Sequence, residues 1–130
     1  MSEQQDNIEL VKRGYEAFSS GDAETTMSLF DDNIEWVQPG NSTISGTYHG
    51  KGEVGHYMAL LGEKNVSVKL NQLLADGDTV VALTEVSVGE DTAHDADVFT
   101  IKAGKTTRVE VHTDTAMMER VYGTNAHAAH

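Results

Sequence analysis

The 130-residue chain contains no cysteine, only one proline and few aromatic residues: one Trp, four Tyr and three Phe. Without cysteine there is no disulfide, thiol nucleophile or thiolate metal ligand, which is compatible with a reducing compartment. No window approaches the roughly 18 apolar residues of a membrane-spanning helix. The first residues, MSEQQDN, lack the basic and apolar segments of a secretory signal. We therefore expect a cytoplasmic protein that does not bind membranes.

Basic residues are also scarce, because 9 Lys and Arg stand against 21 Asp and Glu, for a formal net charge of −12. Such a charge repels the phosphate backbone of nucleic acids and anionic lipid, so we expect neither as a partner. A small neutral ligand is not excluded. The length and the 38% apolar content predict a single globular domain with one core.

The N-terminal third predicts two helices and then a strand. Gly21 and Asp22 supply a helix stop and a new N-cap between two helical apolar repeats. The strand ends at Pro39, and a polar loop over 40–52 leads to a third short helix. The apolar positions of the three helices are Ile8, Val11, Tyr15 and Phe18, then Ala23, Met27 and Phe30, then Val54, Tyr57, Met58 and Leu61.

From residue 66 the apolar period becomes two, over 66–75, 79–88, 94–102 and 106–113, with short Gly-containing turns between the runs. This pattern predicts an antiparallel meander, followed by a short helix at about 115–122. Together the elements predict an α+β fold in which three N-terminal helices cover one face of a cone-shaped, curved antiparallel sheet. We expect the domain to span 7–122, with 1–6 frayed or disordered and 123–130 a frayed tail.

The strand over 79–88 is apolar on both sides, since Val80 and Ala82 lie on one side and Val81 and Leu83 lie on the other. Apolar residues on both sides predict burial of both sheet faces. A homodimer packed sheet to sheet is the simplest way to cover the outer face.

Five segments, in order, resemble the SnoaL-like branch of the nuclear transport factor 2-like superfamily, which also contains the ketosteroid isomerases. They are YEAFSSGDAE, LFDDNIEWVQPG, GTYHGKGEV, LADGDTVVALTEV and ADVFTIKAGKTTRVEVHTD. The resemblance covers about residues 7–122. It implies a cystatin-like, nuclear transport factor 2-like barrel, commonly a homodimer, with a deep apolar pocket. It does not imply one reaction, because the fold houses several chemistries.

Asp97 is the leading catalytic candidate, because strand alternation places it on the inner face with Phe99 and Ile101. Burial raises the pKa of a carboxyl group, and a protonated acid can donate a hydrogen bond to a developing oxyanion, as in ketosteroid isomerase. The resemblance puts Asp97 where that family has its oxyanion-binding aspartate. The alternative is a strand Asp bonded to a backbone N–H or to an arginine.

Other positions depart from the patterns of the relatives. The resemblance puts Gln38 where ketosteroid isomerases carry their general base, and an amide cannot serve as one near neutral pH. Their oxyanion tyrosine on the first helix aligns with Gly14, one residue before Tyr15. The cyclase acid/base position falls on Val111. An epoxide hydrolase of this superfamily would need an inward arginine, for which only Arg108 and Arg120 come late enough in the chain.

His112 is the second catalytic candidate. If Val109 and Val111 face inward, His112 faces outward with Glu110 and Asp114; a bulge would reverse this and make His112 a pocket acid/base. No spacing in the sequence is typical of metal ligands, and we expect neither a metal nor a cofactor. The expected ligand-binding residues are Tyr15, Trp36, Gln38, His49, Tyr57 and Phe99.

Two functional hypotheses follow from these residues. In the first, the pocket binds a small, mainly apolar carbonyl or hydroxyl compound and catalyses cofactor-free proton transfer of an isomerase, cyclase or hydrolase type. In the second, the chain is a non-catalytic dimeric module that binds a small ligand. The residues missing from the isomerase and cyclase positions favour the second hypothesis.

Overall fold

A computed structural model describes residues 2–124 of the chain. Four helices and six strands follow one another. Their bounds, in chain order, are α1 Glu3–Ser19, α2 Ala23–Ser28, β1 Phe30–Gln38, β2 Gly46–His49, α3 Gly50–Gly62, β3 Ser67–Asp76, β4 Thr79–Val88, β5 Asp91–Lys102, β6 Lys105–His112 and α4 Thr115–Tyr122. None of the helices described here is long and apolar enough to cross a membrane.

Three helices begin at a polar N-cap whose side-chain oxygen accepts a hydrogen bond from a free backbone N–H of the first turn. Ser2 caps α1, Asp22 caps α2 and Asp114 caps α4, at donor to acceptor distances of 3.1, 3.0 and 3.0 Å. Gly21 has a φ of 76°, which suits glycine and ends α1 sharply. Helix boundaries are thus set by local chemistry.

The six strands form one curved sheet in the order β2-β1-β6-β5-β4-β3. Strands β3 to β6 form the predicted antiparallel meander, β2 pairs antiparallel with β1, and β1 pairs parallel with β6. The edge strands β2 and β3 do not pair with each other, so the sheet is curved but does not close into a barrel. The predicted α+β class, with helices covering one curved sheet, is confirmed.

The structure differs from the sequence expectations at several boundaries. Residues 3–6, expected to be frayed, form the first turn of α1 because Ser2 caps it. Phe30 begins β1 instead of ending α2, and the loop expected over 40–52 contains β2 and the start of α3. Of the expected frayed tail, Gly123 and Thr124 are described, and Thr124 forms an isolated bridge with Ser42. Residues 125–130 lie outside the described part of the chain.

The core lies between the helices and the concave face of the sheet. Along β4, one side of the strand is buried while the other is only half-buried, so a single copy of the chain does not show the burial of both faces that its apolar residues predict. The same alternation holds in β5 and β6, and it directs Asp97, Phe99, Val109 and Val111 inward. Thr26, within α2, is also buried in this layer. The concave side therefore provides the setting for an internal site.

Candidate functional site

A cavity of about 90 Å³ lies between the helices and the concave side of the sheet. Most of its wall is apolar, and a few polar side chains converge on it from α1, α2, α3, β1 and β5. The lining residues with polar groups are Tyr15, Thr26, Trp36, Gln38, Tyr57, Asp95 and Asp97. An apolar cavity with few converging polar groups is the usual form of a small-molecule site.

Asp97 and Tyr15 form the central polar pair of the cavity. The Tyr15 hydroxyl donates a 2.6 Å hydrogen bond to Oδ2 of Asp97, across 82 residues of sequence. The other carboxyl oxygen of Asp97, Oδ1, is buried and has no hydrogen-bond partner among residues 2–124. Phe99 stacks edge-on against Tyr15, with ring centroids 5.8 Å apart, and so holds the phenol in place. One oxygen of Asp97 thus remains available to a ligand.

The environment of Asp97 alters its protonation. Burial raises the pKa of this carboxyl from the ordinary 3.8 to about 7, the hydrogen bond from Tyr15 acts in the opposite direction, and the nearby Asp95 adds to the rise. Burial and Asp97 in turn raise the pKa of Tyr15 well above its ordinary value of 10. At neutral pH, Tyr15 is therefore a neutral donor, and Asp97 is present in both protonated and ionised forms.

Gln38 and Tyr57 form a second polar pair. The Tyr57 hydroxyl donates a 2.6 Å hydrogen bond to Oε1 of Gln38, and both side chains are buried. Burial, followed by the proximity of Asp97, raises the pKa of Tyr57 well above 10, so it also stays neutral. Trp36 lies against Tyr57 with ring centroids 5.4 Å apart, and its indole N–H has no hydrogen-bond partner within residues 2–124. This side of the cavity is an aromatic wall with a neutral amide.

Asp95 is a cavity residue that the sequence reasoning missed. It lies two residues before Asp97 on β5 and faces the same side, so the alternation that located Asp97 could have located it too. Its Oδ1 accepts a 2.6 Å hydrogen bond from the Thr113 hydroxyl. Burial raises its pKa, the bond from Thr113 opposes that, and Asp114 raises it further. The cavity therefore contains two carboxyl groups.

Two predicted site residues lie outside the cavity. The His112 side chain is 58% exposed on the outer sheet face, 3.7 Å from Glu110, because Val109 and Val111 take the inward positions of β6. His112 thus has the outward of the two orientations that the sequence left open, and it does not line this cavity. His49, predicted to bind ligand, does not line the cavity either: its side chain is 66% exposed, 3.8 Å from Glu35.

The late arginines also point away from the cavity. Arg108 bonds to Glu35 at 2.9 Å on the outer sheet face, and Arg120 bonds to Asp91 at 2.9 Å on the surface. An epoxide hydrolase arrangement, which would need an arginine between two cavity aspartates, is therefore not formed. Among residues 2–124, no group of three His, Asp or Glu side chains is placed to hold a metal ion.

The other five predicted ligand-binding residues lie around one cavity. Tyr15, Trp36, Gln38, Tyr57 and Phe99 all line the cavity. They meet because the inward positions of β1 and β5 face α1 and α3 across the core. The arrangement offers a hydrogen-bonding site for one oxygen atom at Asp97, surrounded by apolar walls.

These features define a class of protein: an α+β fold with a helix-covered curved sheet and an internal, mainly apolar cavity that holds a buried carboxyl pair. The SnoaL-like domain family matches residues 11–109. The chain belongs to this family, as its sequence segments predicted. No functionally curated protein matches the sequence at a significant level.

Solved structures of this fold are similar to this protein over nearly its whole length. Bal32a, from a soil-derived mobile gene cassette, has a TM-score of 0.88 and 27% identity over 93% of this chain and 99% of its own. A cystatin-like protein of unknown function from Xanthomonas campestris has a TM-score of 0.85 and 26% identity over 90% and 98%. A candidate ketosteroid isomerase from Kribbella flavida has a TM-score of 0.78 and 14% identity over 88% and 82%, which shows the shared fold alone.

Proposed function

We propose that this chain binds a small, mainly apolar carbonyl or hydroxyl compound in its cavity and catalyses cofactor-free proton transfer on it. The observation that carries the proposal is the free Oδ1 of Asp97, a buried carboxyl oxygen with no partner among residues 2–124, in a mainly apolar cavity. Buried polar atoms are nearly always hydrogen-bonded, whereas Oδ1 of Asp97 has no partner among the described residues. A ligand oxygen can be that partner.

The protonation of Asp97 suits it to both kinds of ligand. In its protonated form Asp97 donates a hydrogen bond to a carbonyl oxygen or an enolate, and in its ionised form it accepts one from a hydroxyl group. With a pKa of about 7, both forms are present near neutral pH. The Tyr15 hydroxyl, bonded to Oδ2, stabilises the ionised form and orients the carboxyl group.

The volume of the cavity restricts the ligand. About 90 Å³ is less than the roughly 150 Å³ of an engineered apolar cavity that binds benzene. A six-membered ring therefore fits only after some side chains move. Met58 and Met118 line the cavity and are the natural residues to do so, because the methionine side chain is unbranched and adaptable. A steroid would need a much larger opening.

Binding is tested by calorimetric titration with phenol and toluene, which have similar shapes and differ in the hydroxyl group. We expect phenol to bind about tenfold or more tightly, because a hydrogen bond to an ionised or strongly polar group contributes roughly 1.5 to 3 kcal/mol. An Asp97→Leu variant should bind the two compounds equally. Equal binding to the unaltered protein, or no binding of either, would contradict the proposal.

A non-catalytic dimeric ligand-binding module is the alternative, and Gln38 favours it. The position that holds the general base in ketosteroid isomerases carries an amide here, and that amide is already engaged by Tyr57 at 2.6 Å. Under this alternative the protein discriminates phenol from toluene in the same way but does not accelerate exchange of carbon-bound hydrogens. Solvent exchange of such hydrogens, followed by NMR, separates the two functions.

We also propose that the protein is a cytoplasmic homodimer that packs through the outer sheet face. Cross-strand pairs join Leu74 to Val81 and Val81 to Val98 in one apolar row, and Leu74 is 48% exposed. Leu83 and Ala96 extend this row on the adjacent rung. A contiguous apolar patch of this kind on a sheet face is typical of an interaction surface.

The homodimer is tested by sedimentation velocity over a range of concentrations. We expect a dimer mass for the unaltered protein and a monomer mass for Leu83→Glu, since an unpaired charge in an apolar interface is costly. Gln4→Glu on exposed α1 is the matched control, because it adds the same charge away from the patch. A monomer mass for the unaltered protein at all concentrations would refute the dimer.

A further inference from the structure

The cavity lacks a base at the position that Gln38 occupies, and proton transfer from carbon requires one. Four groups lining the cavity can ionise: Tyr15, Tyr57, Asp95 and Asp97. The two tyrosines remain neutral because burial raises their pKa values well above 10. The base therefore has to be one of the two aspartates.

Asp97 is poorly suited to that role, because it is the group that holds the ligand oxygen. Its Oδ2 is bonded to Tyr15 and its Oδ1 faces the cavity, so one free oxygen would have to serve both the ligand oxygen and the ligand carbon. Two carboxyl groups in different surroundings can divide the acid and base roles between them. The second carboxyl group, Asp95, is free for the other role.

We propose that Asp95 is the general base of this cavity, and that Asp97, oriented by Tyr15, binds the substrate oxygen. This inference rests on the proposed function. Asp95 reaches the cavity from the same face of β5, two residues from Asp97, which places the two Cα atoms about 6.5 Å apart. That separation accommodates a carbonyl oxygen at one carboxyl group and an adjacent C–H bond at the other.

The surroundings of Asp95 hold its carboxyl group in one orientation. Thr113 donates a 2.6 Å hydrogen bond to Oδ1, which leaves Oδ2 without a hydrogen-bond partner among the described residues. Thr84, the cross-strand neighbour of Asp95, has a buried hydroxyl that likewise lacks a partner within residues 2–124. A hydroxyl bonded to one oxygen stabilises the ionised form and fixes its orientation. Asp95 thus has the fixed geometry that a base requires.

Asp95 differs from Asp97 in that it lines two pockets. Besides the inner cavity, it lines an open groove, whose other residues include His94, His112 and, from the proposed dimer face, Leu83 and Ala96. The buried Asp97 contributes to the wall of the inner cavity alone. The charged and titratable groups that influence Asp95 are Asp97, His94, Asp114, Tyr15 and Tyr57.

The proposed step balances without any further reactant. With a β,γ-unsaturated ketone, Asp95 Oδ2 takes the proton from the carbon between the carbonyl and the double bond. The C–H electron pair forms the new C=C bond of a dienolate, whose oxygen accepts a hydrogen bond from protonated Asp97. Protonated Asp95 then returns the proton to the γ carbon, which yields the conjugated ketone and regenerates the carboxylate. The oxidation state of the substrate as a whole does not change.

The test uses cyclohex-3-enone in D₂O, with NMR to follow deuterium uptake at the α carbon and formation of the conjugated isomer. We expect Asp95→Asn to lower the rate by about 100-fold or more, which is the usual contribution of a general base. Asp97→Asn should lower it less, because the amide still donates a hydrogen bond to the substrate oxygen. Asp76→Asn, at the exposed end of β3, is the control and should react like the unaltered protein.

The possible outcomes separate this inference from the proposed function. If the unaltered protein accelerates exchange and Asp95→Asn retains its rate, Asp95 is not the base, while the proposed function stands. If Asp97→Asn alone abolishes exchange, Asp97 is the base and the inference is overturned. If the unaltered protein binds phenol but accelerates no exchange, the catalytic proposal fails, and this inference fails with it. Thr113→Val removes the hydrogen bond to Asp95 and should therefore shift the pH profile of the rate. If Asp95 had only a structural role, that profile would not shift.

Discussion

Replacing Asp97 by asparagine tests the electrostatics of the cavity most directly, because the variant keeps the shape of the side chain and removes its ionisation. In the folded protein the pKa of Asp97 is about 7, against 3.8 for an ordinary aspartate. Between these values the native state retains a proton that the unfolded state has released. The contribution of Asp97 to stability is thus fully present below pH 3.8 and is lost as the pH rises to 7.

The size of the effect follows from the shift. Each pH unit between the two pKa values costs the native state about 1.4 kcal/mol, so the total loss above pH 7 is about 4 kcal/mol. The sequence pI of about 4.7 makes measurements near pH 4 to 5 impractical, because net charge near zero promotes precipitation. From pH 5.5 to pH 8.5 the unaltered protein should lose about 2 kcal/mol relative to Asp97→Asn.

The assay is urea unfolding of both proteins at several pH values between 5.5 and 8.5. Asp76→Asn, at the exposed end of β3, serves as a control for the loss of one negative charge. Phenol is omitted, because a bound ligand would add its own stabilisation. A stability difference between the unaltered protein and Asp97→Asn that stays constant across this range would refute the raised pKa, and with it the role of Asp97 as a cavity acid.

Three further predictions concern single contacts. Tyr15→Phe removes the hydrogen bond that lowers the pKa of Asp97, so a carboxyl NMR titration should show that pKa rising above its value of about 7; a fall would be contrary to the geometry. Tyr57→Phe leaves Oε1 of Gln38 buried without its donor, and urea unfolding should show a loss of about 1 to 3 kcal/mol. Tyr48→Phe, which removes a bond from a half-buried hydroxyl, should cost less than Tyr57→Phe. Equal losses in Tyr57→Phe and Tyr48→Phe would show that the buried Gln38 contact contributes no more than the half-buried one.

The periodic elements could be predicted because they depend on local chemistry. Strand β4 has the predicted bounds, and the meander follows from runs of period two separated by Gly-containing turns. The inward orientation of Asp97 also followed from alternation along β5, because β5 keeps its register with β4 through this stretch. Strand β2 was missed because its four residues are too few to show a period and it depends on pairing with β1.

The sequence by itself determined the fold class, the family and the presence of an inward carboxyl on β5. Only the tertiary structure decided which groups meet that carboxyl. Tyr15 reaches Asp97 because α1 crosses the concave face of the sheet, a packing that no local pattern encodes. The parallel pairing of β1 with β6, which brings Gln38 into the cavity wall, likewise joins distant segments. Periodicity fixes which way a side chain faces, whereas its partner across the cavity is chosen by how the layers pack.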